Sequence, residues 1–291
     1  MDNNQAVVLS RLFSSTVIRQ LATCGTSPTL ARLARLSDLD ASKEESLGEY
    51  LERAYKRLSG SPLRDEYVYK NTLITKNLLG RHSLRTATVL SEFRVGTSKA
   101  DLAIINGTST VYEIKSERDN LSRLQGQLAD YRKVFARIYV VAAQPHIKKL
   151  EALIDEDVGI LMLKQKLNLS TIRKAADNTS NIEPVAICNA LRRDEATSIL
   201  KSLGRDVPVV PNTQIMGVLR EAFAELTPLE AHRGMVEILG KTRGAQHLQT
   251  HVDALPPSLT SAVLTMSLRK RDLARLTETV SISMTTVSSW G

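Results

Sequence analysis

Apolar residues along the first sixty positions recur at helical spacing rather than in alternation. Val7 to Ala22 is predicted as helix, and Ser27-Pro28 opens a short second one, with proline at the first helical position, where an N–H is dispensable. Ser42-Lys43-Glu44-Glu45 has the capping-box pattern and predicts a helix to about Leu58. Ser59-Gly60-Ser61-Pro62 breaks the chain, and a further helix is predicted from about Asp65 to Leu79, stopped by Gly80. At Thr86 the pattern changes. Thr86 to Val95 is rich in β-branched residues, and Ala100 to Ile105 and Ser109 to Ser116 follow as strands around Asn106-Gly107, a hairpin signal. Leu121, Leu124, Leu128 and Tyr131 restore helical spacing to Val134, and Arg137 to Ala142 is a short apolar strand of the buried, parallel type. A helix from His146 to Ile154 and a last strand, Gly159 to Leu163, complete an α/β unit.

Beyond Lys164 the spacing is helical again. Asp194 to Leu203 ends at Gly204, Thr213 to Leu226 follows Pro211, Thr227-Pro228-Leu229-Glu230 caps a helix ending at Gly240, and Pro256-Pro257 precedes another. The Ser/Thr-rich tail from Ser281 to Gly291 is expected to fray. The chain therefore divides into a helical segment at 1–60, a mixed core at 61–165 and a helical region at 166–291. No internal repeat or low-complexity tract is present.

Composition narrows the class. With 42% hydrophobic residues in 291 there is material for a core, and 4% aromatic content suits a helix-rich α/β protein better than a sandwich or barrel. The net charge of +8 points to a polyanionic partner, nucleic acid first. That charge is uneven: ten Lys or Arg face four acidic residues between Leu51 and Lys99. Cys24 and Cys188 form neither a disulfide framework nor a metal-ligand spacing. With no basic leader and no apolar run of membrane-spanning length, a soluble cytoplasmic protein with no membrane partner is expected.

The segment from Lys99-Ala100-Asp101-Leu102 to Val111-Tyr112-Glu113-Ile114-Lys115 carries the candidate chemistry. Glu113 and Lys115 lie two apart on a strand and share a face, with Asp101 opening the strand before. Phosphodiester hydrolysis uses carboxylates that hold a metal ion and a lysine that stabilises charge at the scissile phosphate. Glu-x-Lys alone is common; the ordered set is not. It comprises an acid opening an apolar strand, an Asn-Gly turn, Glu-x-Lys, a helix carrying Gln127 and Tyr131, and a buried strand.

That order resembles the PD-(D/E)XK superfamily of restriction-endonuclease-like nucleases. The run from Glu66-Tyr67-Val68-Tyr69-Lys70-Asn71 through Ser91-Glu92-Phe93-Arg94-Val95-Gly96 to Tyr112-Glu113-Ile114-Lys115 is similar to a bacterial, prophage-associated branch. The resemblance covers about 66–142. It implies an α/β fold with a mixed central β-sheet flanked by helices, and a hydrolase dependent on Mg²⁺ or Mn²⁺ with DNA as substrate. It also implies Asp101 and Glu113 as metal ligands and Lys115 as the catalytic lysine. Ala100 stands where the family name has proline.

Such nucleases often add a carboxylate from an earlier element, for which Glu66 and Glu92 are candidates, Glu66 preferred. Gln127 and Tyr131, four apart on a helix, can both face Lys115. Lys70, Arg123, Arg132 and Lys133 are candidate phosphate contacts, and a homodimer is compatible with this class. If Asn106-Gly107 made a two-residue turn, Asp101 would lie opposite Tyr112, facing away from Glu113. The hairpin should therefore use a longer loop or a bulge. The alternative is a non-catalytic DNA-binding regulator. Leu273 to Thr277 and Thr286 to Trp290 have a helix-turn-helix flavour, without a glycine at the turn and about two residues too far apart. His82, His146, His232, His247 and His251 have no companion pattern, the last two being expected on the surface. No phosphate-binding glycine loop is present, so ATP dependence is not expected.

Overall fold

The computed structural model describes residues 2–60, 62–80 and 83–290. Among these, six strands form one mixed sheet in chain order: β1 (Thr88–Val95), β2 (Ser98–Ile105), β3 (Ser109–Lys115), β4 (Arg137–Ala142), β5 (Gly159–Leu163) and β6 (Leu169–Arg173). The β1–β2, β2–β3 and β5–β6 pairs are antiparallel, whereas β3–β4 and β4–β5 are parallel. The expected α/β class with a mixed sheet between helices is the observed one. The sheet does not end at Leu163, however. β6 is a short, largely solvent-facing edge strand whose Leu169-Ser-Thr-Ile-Arg173 run has no apolar alternation to betray it.

Two apolar clusters, one on each face, give three layers. The first joins one sheet face to α1 (Asn3–Leu12), α2 (Ser15–Cys24), α3 (Pro28–Leu36), α4 (Leu47–Ser59) and α5 (Glu66–Thr72). The second joins the other face to α6 (Leu124–Arg132), α7 (Ile147–Leu153), α8 (Pro184–Ala190), α9 (Arg193–Ser202), α10 (Ile215–Ala224) and α11 (Pro228–Thr242). The chain then returns to the first face through α12 (Gln249–Ala254), α13 (Thr260–Thr265), α14 (Lys270–Thr279) and α15 (Met284–Ser288).

Local chemistry sets the boundaries. Val7 to Ala22 is two helices because Ser14 caps a new one, its hydroxyl accepting from Val17 N–H. The capping box belongs to Ser46 and Glu49, not to Ser42 and Glu45, and the apolar period Leu47, Tyr50, Leu51, Ala54 starts there. Asp65 caps α5 and also accepts from Ser10 on α1, so α5 is anchored at its first turn. Beyond Thr72 the helix widens into a π-helical segment, Leu73–Leu79, before Gly80. The Ser/Thr-rich tail is ordered rather than frayed through Trp290. Ser283 bridges Ser46, Met284 N–H donates to Glu45, and Met284 and Val287 are buried. Gly291 and His82 lie outside the described residues. No helix among the described residues is long and apolar enough to cross a membrane.

Candidate active site

The β2–β3 hairpin closes at Ile105 and Ser109, leaving Asn106-Gly107-Thr108 as a three-residue loop. Asn106 N–H donates to the Thr108 carbonyl at 2.9 Å, and Gly107 takes a φ of +65°. This loop pairs Leu102 with Tyr112, so Asp101 is next in register with Glu113. The ladder stops at that point. Instead of a strand partner, the Ile114 N–H donates to Asp101 Oδ2 at 2.7 Å.

On the other side of β2, Glu92 is in register with Asp101, between the pairs Ser91–Leu102 and Phe93–Ala100. Both strands break alternation at this pair. Leu90, Phe93 and Val95 share one core cluster, as do Ala100 and Ala103, while Leu102 joins the cluster on the opposite face. Glu92 carries the irregularity in its backbone, with a φ of +56° that non-glycine residues rarely adopt. Asp101 thereby sits at a discontinuity in the sheet.

That position lets α5 contribute from the opposite face. Glu66, in its first turn, brings a carboxylate towards Asp101, and oxygens of Glu66, Glu92 and Asp101 lie within 4.8 Å of one another. Both acids weighed as alternatives are thus present together. Lys70, one turn after Glu66, lies 2.8 Å from its carboxylate, 3.9 Å from that of Glu92 and 3.3 Å from Ser91 Oγ. Burial, then the Glu113 and Glu66 charges, push the Asp101 carboxyl well above the usual carboxylate range, with the Ile114 N–H and Lys70 opposing. The donor set is all carboxylate oxygen, the kind that hard divalent cations take.

Glu113 and Lys115 are buried on the α6 side, Lys115 Nζ donating to Glu113 Oε1 at 2.8 Å and to Gln127 Oε1 at 3.1 Å. The Tyr131 hydroxyl donates to Glu113 Oε2 at 2.7 Å. Burial first, then the Glu113 charge, hold this phenol well above its ordinary range, so it stays a donor. Gln127 and Tyr131 thus both reach the strand pair from one helix face. Between them in sequence, Asp130 fixes the β1–β2 turn by accepting from the Thr97 and Ser98 N–H groups, each at 3.1 Å. The carboxylates split into two sets: Glu66, Glu92 and Asp101 converge, while both Glu113 oxygens are held by Lys115 and Tyr131.

The other basic candidates lie elsewhere. Arg123 is exposed at the start of α6. Arg132 forks onto Asp157 and Asp155, which ties α6 to the loop before β5, and Lys133 lies 4.0 Å from Glu183. Sequence reasoning missed Arg64 and Glu117 just past β3. They form a part-buried pair at 2.8 Å, with the Tyr69 hydroxyl donating to the same carboxylate. Nothing in their spacing, 53 residues apart, signals that contact. Among the histidines, His232 is buried and 3.0 Å from Ser109 Oγ, and His146 Nε2 is 2.9 Å from the Ser116 carbonyl. His247 is exposed. The helix-turn-helix-like stretch is α14 and α15, whose apolar faces are buried in the first core cluster.

The molecule is a three-layer α/β protein with an acidic and basic cluster at a break in its sheet. It belongs to the bacteriophage P4 protein cII family, whose model matches residues 60–249. Protein cII of Enterobacteria phage P4 is 35% identical over 92 residues, 31% of this chain and 34% of that protein. The match therefore spans about a third of that relative's length. Among solved structures, a protein of unknown function from Silicibacter pomeroyi aligns over 41% of this chain and 80% of its own, at 16% identity and a TM-score of 0.29.

Proposed function

We propose that this protein is a metal-dependent nuclease of the PD-(D/E)XK kind, hydrolysing phosphodiester bonds in nucleic acid, DNA foremost. The observation that carries this reading is the meeting of Glu66, Glu92 and Asp101 beside the Glu113–Lys115 pair. Burial first, then the Glu113 and Glu66 charges, raise the Asp101 pKa, and Lys70 offsets them only in part. A divalent cation bound by oxygen ligands offsets them, so the residues fit Mg²⁺ or Mn²⁺. When bound, the ion supplies Lewis-acid polarisation of the phosphoryl oxygen and lowers the pKa of a water.

The remaining roles belong to the chain. Asp101, Glu66 and Glu92 supply the ligands. Lys115 stabilises charge at the scissile phosphate, positioned by Glu113 and Gln127, and Tyr131 orients Glu113 by donating to it. The relative's name, protein cII, states no chemistry.

Purified protein should cut DNA with Mg²⁺ or Mn²⁺ and stop with EDTA. Lys115→Ala and Asp101→Ala should each lower the rate by roughly 100-fold or more, the size of effect seen when charge-stabilising groups are removed. Both variants should keep the wild-type circular dichroism spectrum. Metal-independent binding without cleavage would identify the protein as a non-catalytic DNA-binding module instead.

A further inference from the structure

β1 is an edge strand of the sheet. Two adjoining hollows follow it, and a third opens next to them. The first, about 640 Å³, lies between Leu84–Thr88 and the segment that ends α11, and Arg85 and Lys241 line it. The second, about 420 Å³, runs beside Val89–Arg94 and shares Gly244 and His247 with the first. The third, about 390 Å³, opens over α5 and shares Thr265 and Met266 with the second. Together they make one trough. Glu92 lines its middle section and Glu66 its far section, so two of the three converging carboxylates face it.

The walls are basic. Arg85, Arg94 and Arg192 are exposed on them, and Lys241 is there in a solvent-exposed pair with Glu237. Arg243 is fixed in place by a two-point pair with Glu195. Phe93, the aromatic residue in the middle section, is buried, so that section offers no ring for stacking a base. What the trough offers a ligand is positive charge along a line. The six residues of β1 beside the middle hollow extend for ~20 Å. The hollow lies between β1 on one side and the 242–248 and 264–268 segments on the other, so basic residues stand on both of its walls.

We propose that a nucleic-acid backbone lies along this trough. Its phosphates meet Arg85 and Lys241 at one end and Arg94 and Arg192 in the middle, so that it passes over Glu92. The assignment rests on the nuclease reading for its purpose, and on charge and shape for its location. Recognition is by backbone charge, independent of base sequence.

The test is fluorescence anisotropy of a labelled oligonucleotide, single-stranded or annealed, with the full chain in EDTA so that binding is read without cleavage. Arg85→Glu with Lys241→Glu, and Arg94→Glu with Arg192→Glu, should each lower affinity by roughly 10-fold or more and flatten its salt dependence. The glutamine versions should give smaller losses in the same order. Lys148→Glu with Lys149→Glu, exposed on α7, should change nothing. Wild-type affinity in both trough variants, or no binding by the wild type, would overturn the proposal. Binding in the trough without metal-dependent cleavage would remove the nuclease reading and leave the trough. Undiminished cleavage by the trough variants would do the reverse.

Discussion

Glu92 concentrates the tension between stability and chemistry in one residue. Its φ of +56° is a left-handed conformation in the middle of a strand, where a side chain costs on the order of 1 kcal/mol and glycine costs nothing sterically. Strain of this kind persists where the surroundings hold it, and it is found disproportionately at functional sites. The ion pairs Glu92 makes with Lys99 and Lys70 are with an exposed carboxylate and contribute little. Glu92→Gly should therefore raise the unfolding free energy by about 1 kcal/mol while lowering metal-dependent cleavage at least 10-fold. Denaturant unfolding measures the first effect and a cleavage assay the second. A less stable glycine variant would show that the carboxylate is retained for the fold. The residue scale was also partly legible in sequence. Side-chain parity across Asn106-Gly107 required a loop longer than two residues, and three are found. That both Glu66 and Glu92 join Asp101 was not legible, because alternation breaks on both strands at once and no local pattern encodes it.

Elements are tied together by a few buried polar contacts, and one of them titrates. Ser109, at the start of β3, accepts from the Ala136 N–H at 3.0 Å and lies 3.0 Å from Nε2 of His232 on α11. The contact joins the central strand, the loop before β4 and the longest helix of the second layer. Burial, with Asp177 opposing and Arg233 adding to it, lowers the His232 pKa from its ordinary 6.5. Between the folded and unfolded values the unfolded chain binds a proton that the folded chain refuses. The contribution of His232 is thus complete above pH 6.5 and declines as pH falls towards the folded value. His232→Asn should cost about 1 kcal/mol at pH 8 through the altered hydrogen bond. The gap between its melting temperature and that of wild type should shrink as pH falls from 7 to 5. A gap independent of pH would show that the ring does not titrate in that window. Elements with strong periodicity, such as α4 and β4, were legible. β6 and α8 were not: one is a short exposed edge and the other a seven-residue turn of helix behind Pro184.

At the scale of the whole molecule, the two ends of the chain build one layer. α14 packs on α2 and α15 on α4, with Leu47 and Gly48 N–H groups donating to the Ile282 and Val280 carbonyls at 2.8 and 2.7 Å. The same layer holds α5: Tyr67 Oη donates to the Ser258 carbonyl at 2.6 Å, and Asn71 bonds both Pro257 O and Ser261 N–H. The helix that delivers Glu66 and Lys70 is therefore clamped by residues nearly 200 positions later. Composition pointed the other way, since a Ser/Thr-rich tail has the look of a segment that frays. Its Ser283 is instead a helix cap, and Met284 and Val287 are buried. Exposing two such side chains costs on the order of 3 kcal/mol. Deleting residues 281–291 should accordingly lower the melting temperature by several degrees and weaken cleavage through α5, with DNA affinity in the trough less affected. Calorimetry and the cleavage assay check the two halves of this expectation. A truncated protein that melts and cuts like the full chain would mean that the tail's contacts hold nothing in place.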